Sequence, residues 1–579
     1  MTPLATRAGI AALRDAYLRG TLTPGDVAEQ VIAAPSAPGV WISRVSPFEL
    51  RARARQLQDL DPGLPLHGIP FAVKDNIDVA GMPTTAACPA FAYTPARGAP
   101  VVEKLLAAGA MLVGKTNLDQ FATGLTGSRS PYGAVESVYG GGLIAGGSSS
   151  GSAVAVASGV VAFALGTDTA GSGRVPAALN GIVGLKPTRG LLSTAGVVPA
   201  CRSLDCVSIF TLDAADARTV LDVTRGPTAG DPWSRAATGE SLPPAAVRLG
   251  VARPGALDFD GDHGQAERYV AGCLAAARLT SATTQVGITP LLTAGGLLYE
   301  GPWVAERLAD LEDFLREHGA GVLPLTRGIL EGGHAFTAAD TFRAQHRLQV
   351  LKEETARLFA AIDVLILPTV PTTFTLDEIA EEPLRRNAVL GRWTQFANLL
   401  DLAVVAVPNG TTPDGRPAGL SLIGPAFAEG TLLGLAAAFM GEAPQVHHAR
   451  PTTVDLAVAG HHLRGGSRNA ELVALGGRFV RTTRTEACYR LHLLPTGVPG
   501  LVRVGAGQGA HIEVEIWRLP TAAVGALLGS VTAPLSIGYL STVDGTTVQG
   551  FLCEAYAAGT AQDITASGGF RAHRQEEGQ

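Results

Sequence analysis

Several patterns that define protein classes are missing from this chain. Six cysteines (Cys88, Cys201, Cys206, Cys273, Cys488 and Cys553) are scattered over 579 residues, with no CxxC pair and no dense cluster. That spacing excludes a disulfide framework and fits reduced thiols, hence a cytoplasmic protein. Charged residues reach only 17 %, the net charge is −6 and there is no long basic run. The electrostatic footprint of a nucleic-acid binder is therefore absent. The most apolar segment, Ser152 to Gly166, has 15 residues and is interrupted by serine and glycine, whereas a membrane span needs about 20. The opening MTPLATRAGIAALRDAYLRG holds no continuous apolar core and reads as an amphipathic helix, not an export signal. A soluble chain without nucleic-acid or membrane partners is expected.

What the chain does have is core-forming material. Hydrophobic residues make up 46 %, enough for a large interior and too many for extensive disorder. The length exceeds the usual size of one compact domain. Through the first 440 residues, short apolar runs such as Ile69–Val73, Met111–Val113, Val364–Leu367 and Ala403–Val407 alternate with helix-length segments such as Pro100–Ala108 and Ala305–His318. This alternation predicts an α/β layer architecture. Residues 441–453 are polar, contain two prolines and suit a linker. Beyond them, 454–579, strand-like runs (Arg478–Arg484, His511–Trp517, Val548–Cys553) between glycine-rich turns predict a smaller β-rich domain, with a frayed tail RAHRQEEGQ.

The stretch GGSSSGSAVAVASGVVAFALGTDTAGSGRVPAALNG, Gly146 to Gly181, carries the chemistry. No Gly-Lys-Ser/Thr follows its glycines and it contains no GxGxxG, so it fails as a phosphate loop. Its long Ala/Val run is buried-type sequence and argues against a flexible tract. An acyl-transfer site needs a serine nucleophile, a base and N–H donors for the oxyanion. The turn Thr169-Ala170-Gly171-Ser172 can supply the first and the last. No histidine lies near it, so the base comes from elsewhere. The histidine pairs His447-His448 and His461-His462 lack metal-ligand spacing, and neither a metal nor another cofactor is expected.

These residues resemble the amidase signature family, whose blocks read GGSSxGS and GTDxxGSxRxPA. Gly146–Ser152 and Gly166–Ala177 match both, and Ile69–Asn76 (IPFAVKDN) matches the family's lysine block. The resemblance covers residues 1–440. It implies a large mixed twisted sheet flanked by helices and a Ser–cis-Ser–Lys triad. By motif position Ser172 is then the nucleophile, Ser148 the bridging serine and Lys74 the base. Ser148 precedes Ser172 by 24 residues, the family's separation, so Ser149, Ser150 and Ser152 fall to turn and helix N-cap roles. A lysine serves as a base only when burial makes it neutral. The oxyanion donors implied are the N–H groups of Thr169, Ala170, Gly171 and Ser172, while Asp168 and Arg174 brace the loop.

Two departures narrow the family. Ala170 and Gly173 stand where most members have glycine and isoleucine, and the resulting AGSGR resembles the allophanate hydrolase branch. Segments Phe121–Gly133 and Leu298–Leu308 are also similar to that branch. The likeness implies carboxylate binding by Arg307 with Tyr299 as hydroxyl donor, and a backbone contact from Gly124. It implies hydrolysis of allophanate to ammonia and N-carboxycarbamate, which decarboxylates. Val458–Leu472 resembles the opening of a gamma-glutamylcyclotransferase-like fold, and two-domain members of the branch link that module to decarboxylation. His462 is the candidate there, with Glu515 weaker; that the module instead aids dimer assembly or partner docking stays open. A homodimer in urea degradation and nitrogen metabolism, partnered by a separate urea carboxylase, is the branch's expectation. Two alternatives stay open: an amidase for malonamate, aliphatic amides or glutamine (as part of an amidotransferase), and a non-enzymatic scaffold docking to urea carboxylase.

Overall fold

The computed structural model describes residues 8–237, 241–253, 255–442, 453–505, 507–576 and 578. The chain divides into two compact units, residues 1–444 and 445–579. Most of the expected linker, including His447 and His448, lies outside the described residues.

The first unit is built on eleven strands: β1 Trp41–Arg44, β2 Pro70–Lys74, β3 Met111–Thr116, β4 Phe163–Asp168, β5 Val183–Lys186, β6 Cys206–Thr211, β7 Arg248–Ala252, β8 Ala282–Val286, β9 Val364–Pro368, β10 Ala403–Thr411 and β11 Pro417–Gly424. They form one sheet in the order β1-β3-β2-β4-β6-β5-β10-β11-β9-β7-β8. It is mixed: β2 runs parallel to β3 and β4, and β7 parallel to β8 and β9, while the other pairs are antiparallel. Continuous apolar runs such as Phe163–Leu165 and Val404–Val407 are buried on both faces, as helix-covered strands must be. The Ala/Val helix Ser150–Ala157 is buried along its whole length and packs beneath β2 and β4.

Local order and tertiary role part company at Gly109–Thr116. GAMLVGKT has the residue order of a phosphate loop, yet Met111–Thr116 is strand β3. Lys115 is fully buried, its Nζ 3.2 Å from Asp75 Oδ1 and 2.7 Å from Thr84 Oγ1.

The helix expected over Ala305–His318 is two, Trp303–Ala309 and Glu312–His318. Leu311 leaves helical geometry at φ −119° and ψ −4°, which buries it with Leu308 and Leu315. Asp310, at the break, takes Arg202 Nε at 2.7 Å.

In the second unit, β12 Thr453–Val458, β13 Arg478–Arg484, β16 Glu513–Pro520, β17 Leu535–Ser541 and β18 Thr547–Cys553 form a five-stranded sheet in the order β13-β16-β12-β18-β17. A second sheet joins β15 Pro499–Arg503, β14 Tyr489–Leu493 and β19 Gln562–Asp563. The tail is not frayed through Glu576: Phe570–Glu576 is a helix. Phe570 is buried in the unit's core, and Arg571 reaches Glu513 at 2.7 Å and Glu515 at 2.9 Å.

Candidate active site

Strands β2 and β4 are parallel neighbours, with Val73 opposite Leu165. Their carboxyl ends therefore open on the same sheet edge, where open α/β sheets place ligands. Lys74 ends β2 and Asp168 ends β4. Lys74 is fully buried. Its Nζ stands 2.8 Å from Ser148 Oγ and 2.7 Å from Thr167 Oγ1. Burial pushes the ammonium down to about 7, against the pull of the carboxylates of Asp119, Asp168 and Asp205. A lysine in this state exchanges a proton near neutral pH, and Ser148 is its hydroxyl partner. The Gly147–Ser148 peptide is cis.

The turn after β4 is tied to its own aspartate. Asp168 accepts the N–H groups of Gly171 on Oδ1 at 3.0 Å and of Gly173 on Oδ2 at 2.9 Å. Arg174 adds two bonds of 2.8 Å. Burial alone would raise the Asp168 acid, but the guanidinium of Arg174 outweighs it and holds the carboxyl below its ordinary range. From outside the turn, Asn398 Nδ2 donates to Asp168 O at 2.8 Å, Thr394 Oγ1 donates to Ala170 O at 2.7 Å, and Arg174 Nη1 donates to Thr394 O at 2.8 Å. Ser172, 3 % exposed, sits in this fixed turn.

This wiring narrows the donors expected for an oxyanion. Gly171 N–H is engaged by Asp168, whereas those of Thr169, Ala170 and Ser172 have no partner among the described residues. Gly173 answers a question of space: a Cβ there would stand 2.5 Å from the Ser208 Cβ and 3.2 Å from the Asp168 Cβ. The isoleucine usual at this place has no room.

The neighbouring serines are structural, though not as caps. Ser149 occupies the N-cap of helix Ser150–Ala157 without capping it; its hydroxyl donates to Thr167 O at 3.1 Å, and Ser152 Oγ donates to Leu165 O at 3.0 Å. Both stitch the helix onto β4.

Arg307 is 2 % exposed. Its Nη1 donates to Thr123 Oγ1 at 3.2 Å, its Nη2 to Tyr299 Oη at 3.4 Å, and the guanidinium lies 5.2 Å from the Tyr299 ring centre. Its buried Nε–H has no hydrogen-bond partner among the described residues. Thr123 precedes Gly124, whose φ of +157° suits glycine. Tyr299 packs against the same apolar cluster that holds Ala170, Cys201 and Trp303, so Tyr299 and the Ser172 turn share one support. Asp205 links them further: it takes Thr169 Oγ1 at 2.5 Å and the N–H groups of Ala200 and Cys201, and burial pushes its acid up to about 6. A cavity of 690 Å³ opens beside Tyr299, Trp393 and Asn387.

Asp119, Thr167 and Asp205 went unnoticed in the sequence. Only Thr167, inside the GTD block, carried a signal there, since the other two act through folding contacts with distant segments.

In the second unit, His462 stacks on Phe551 (centroids 5.2 Å apart, 12° between planes) and its Nε2 lies 3.4 Å from Glu471 Oε2. It lines a 120 Å³ pocket with His461, Arg468 and Thr532. Burial lowers its imidazole, Arg468 adds to this, and Glu471 opposes it. Glu515 is fully buried and saturated: Arg464 N–H, Arg464 Nε, Trp517 Nε1 and Arg571 Nη2 all donate to it, at 2.8, 3.2, 3.2 and 2.9 Å. Such a carboxylate braces the fold.

Comparison with known proteins places the chain in a family. Residues 33–433 match the family model described as Amidase, and residues 454–575 match the Allophanate hydrolase C-terminal domain. Urea amidolyase of Saccharomyces cerevisiae is 40 % identical over 567 residues, which span 92 % of this chain but 31 % of that protein. Urea amidolyase of Lachancea kluyveri is 40 % identical over 583 residues, spanning 94 % of this chain and 32 % of that protein. The chain thus spans about a third of the length of these curated relatives. The solved structure of Kluyveromyces lactis allophanate hydrolase superposes with a TM-score of 0.71 at 37 % identity, covering 97 % of this chain and 98 % of that one. The chain belongs to the amidase family, with an amidase domain followed by an allophanate hydrolase C-terminal domain.

Proposed function

We propose that this amidohydrolase cleaves allophanate, with Ser172 as nucleophile, Ser148 as proton bridge and Lys74 as base. The observation that carries the substrate is Arg307. Its guanidinium is buried and permanently charged, it donates to two hydroxyls, and its Nε has no hydrogen-bond partner among the described residues. A buried cation in that state favours an anionic ligand, and a planar carboxylate fits the fork of an arginine.

Neutral Lys74 takes a proton from Ser148, which takes one from Ser172 as its oxygen bonds to the amide carbonyl. The N–H groups of Thr169, Ala170 and Ser172 meet the oxyanion. Ammonia leaves with the returned proton. Water then attacks the acyl-enzyme by the same relay, giving N-carboxycarbamate and free Ser172. Loss of carbon dioxide from that dianion, with a proton taken up on nitrogen, gives carbamate.

The His462 pocket supports a second step in the same sequence. Its stacked imidazole and Arg468 make His462 the candidate for handling the nitrogen's proton during decarboxylation. The same reading takes a separate urea carboxylase as the supplier of substrate and a homodimer as the working assembly.

Ammonia release by the purified protein from allophanate, malonamate, glutamine and a simple aliphatic amide tests the reading. Turnover of allophanate well above the others is expected. Good turnover of another amide with none of allophanate would overturn it.

A further inference from the structure

Asp119 lies just past β3, fully buried, and takes no part in the bond-making described above. Its N–H donates to Ser148 O at 3.1 Å. Its carboxylate accepts Gly127 N–H on Oδ2 at 3.0 Å and Arg129 N–H on Oδ1 at 2.8 Å. A Cβ on Gly147 would collide with Asp119 Oδ2, and one on Gly124 would stand 2.7 Å from it. The side chain is therefore pressed between the backbone that presents Ser148 and the backbone of the turn beside Arg307.

We propose that Asp119 is a positioning residue for the reaction, locking the Ser148 loop against the Gly124 turn. The proposal rests on the reading of Lys74 as the base.

Three carboxylates act on Lys74, and Asp119 pulls hardest, ahead of Asp168 and Asp205. Their surroundings explain the order. Asp168 is paired with Arg174. Asp205 is occupied by Thr169 and two N–H groups, with Arg307 also acting on it. Asp119 is met, among the described residues, by main-chain N–H groups alone. The other nearby cations are engaged elsewhere: Lys115 with Asp75, and the Arg129 guanidinium with the carbonyls of Thr123 and Pro383.

The sign of the effect follows. A carboxylate beside Lys74 favours the ammonium, so removing it lets the amine stay neutral to lower pH. A neutral residue at 119 therefore moves the acid limb of activity downward, which loss of packing alone would not do.

The test compares kcat/KM against pH for ammonia release by the full-length wild type and Asp119→Asn. The acid limb should move about one unit lower, and kcat should fall about tenfold, because the new NH2 faces an N–H donor. An acid limb that stays in place or moves upward overturns the proposal. Asp119→Ala is the second neutral variant, with the same expected direction, should the first not fold. Failure of the base assignment would look different: Lys74→Ala would keep its activity whatever happens at 119.

Discussion

Arg174 grips Asp168 through two parallel hydrogen bonds of 2.8 Å, and the same carboxylate receives the N–H groups of Gly171 and Gly173 on either side of Ser172. The Ser172 turn is thus folded around a buried ion pair. Removing the cation alone leaves a buried charge without its partner. Arg174→Ala should destabilise the amidase unit by about 3–5 kcal/mol, read as a lower urea midpoint, and should lower kcat in whatever protein remains folded.

The pH dependence of activity comes from Lys74. Burial brings its ammonium down to about 7, and in the proposed mechanism only the neutral amine takes the Ser148 proton. Activity should therefore rise as pH climbs through about 7 and fall away below it. Lys74→Ala should cost about 10³-fold in kcat. A kcat/KM profile flat from pH 5 to 8 would contradict this.

Besides Ser148, Lys74 is held by Thr167 Oγ1 at 2.7 Å, which also receives Asn76 Nδ2 at 3.3 Å. Thr167→Val keeps the shape and removes both acceptances. Expected are a kcat reduced about tenfold and a nearly unchanged KM, measured by steady-state ammonia release.

In the proposed function, Arg307 separates substrates by charge. Arg307→Gln should lower kcat/KM for allophanate by about 10- to 100-fold while leaving turnover of an uncharged amide almost untouched. Equal losses on both would assign the residue to packing.

In the second unit, Glu515 and His462 should part. Glu515→Ala strips an acceptor from Arg464, Trp517 and Arg571 and should cost about 2 kcal/mol of stability, seen as a lower unfolding midpoint. His462→Ala should leave the first ammonia release intact and slow carbon dioxide release.

The residue order alone was enough for much of this molecule. Apolar runs bounded by Gly, Pro and Asp marked β2, β3, β9 and β10, because strands buried on both faces must be continuously apolar. The β-rich second unit was legible from its run lengths and turns, and the amidase blocks located Lys74, Ser148 and Ser172 before any contact was known. Tertiary structure decided what those residues meet. GAMLVGKT became a strand with its lysine on Asp75, the 305–318 segment broke so that Leu311 could be buried, and the tail formed a helix because Phe570 and Arg571 found a core and two carboxylates. Gly171 N–H went to Asp168, leaving three donors of the turn without a partner among the described residues. Asp119 and Asp205 were invisible in the sequence for the same reason. A carboxylate's role depends on which N–H groups, hydroxyls and cations surround it, and those come from segments far apart in the chain that only folding brings together.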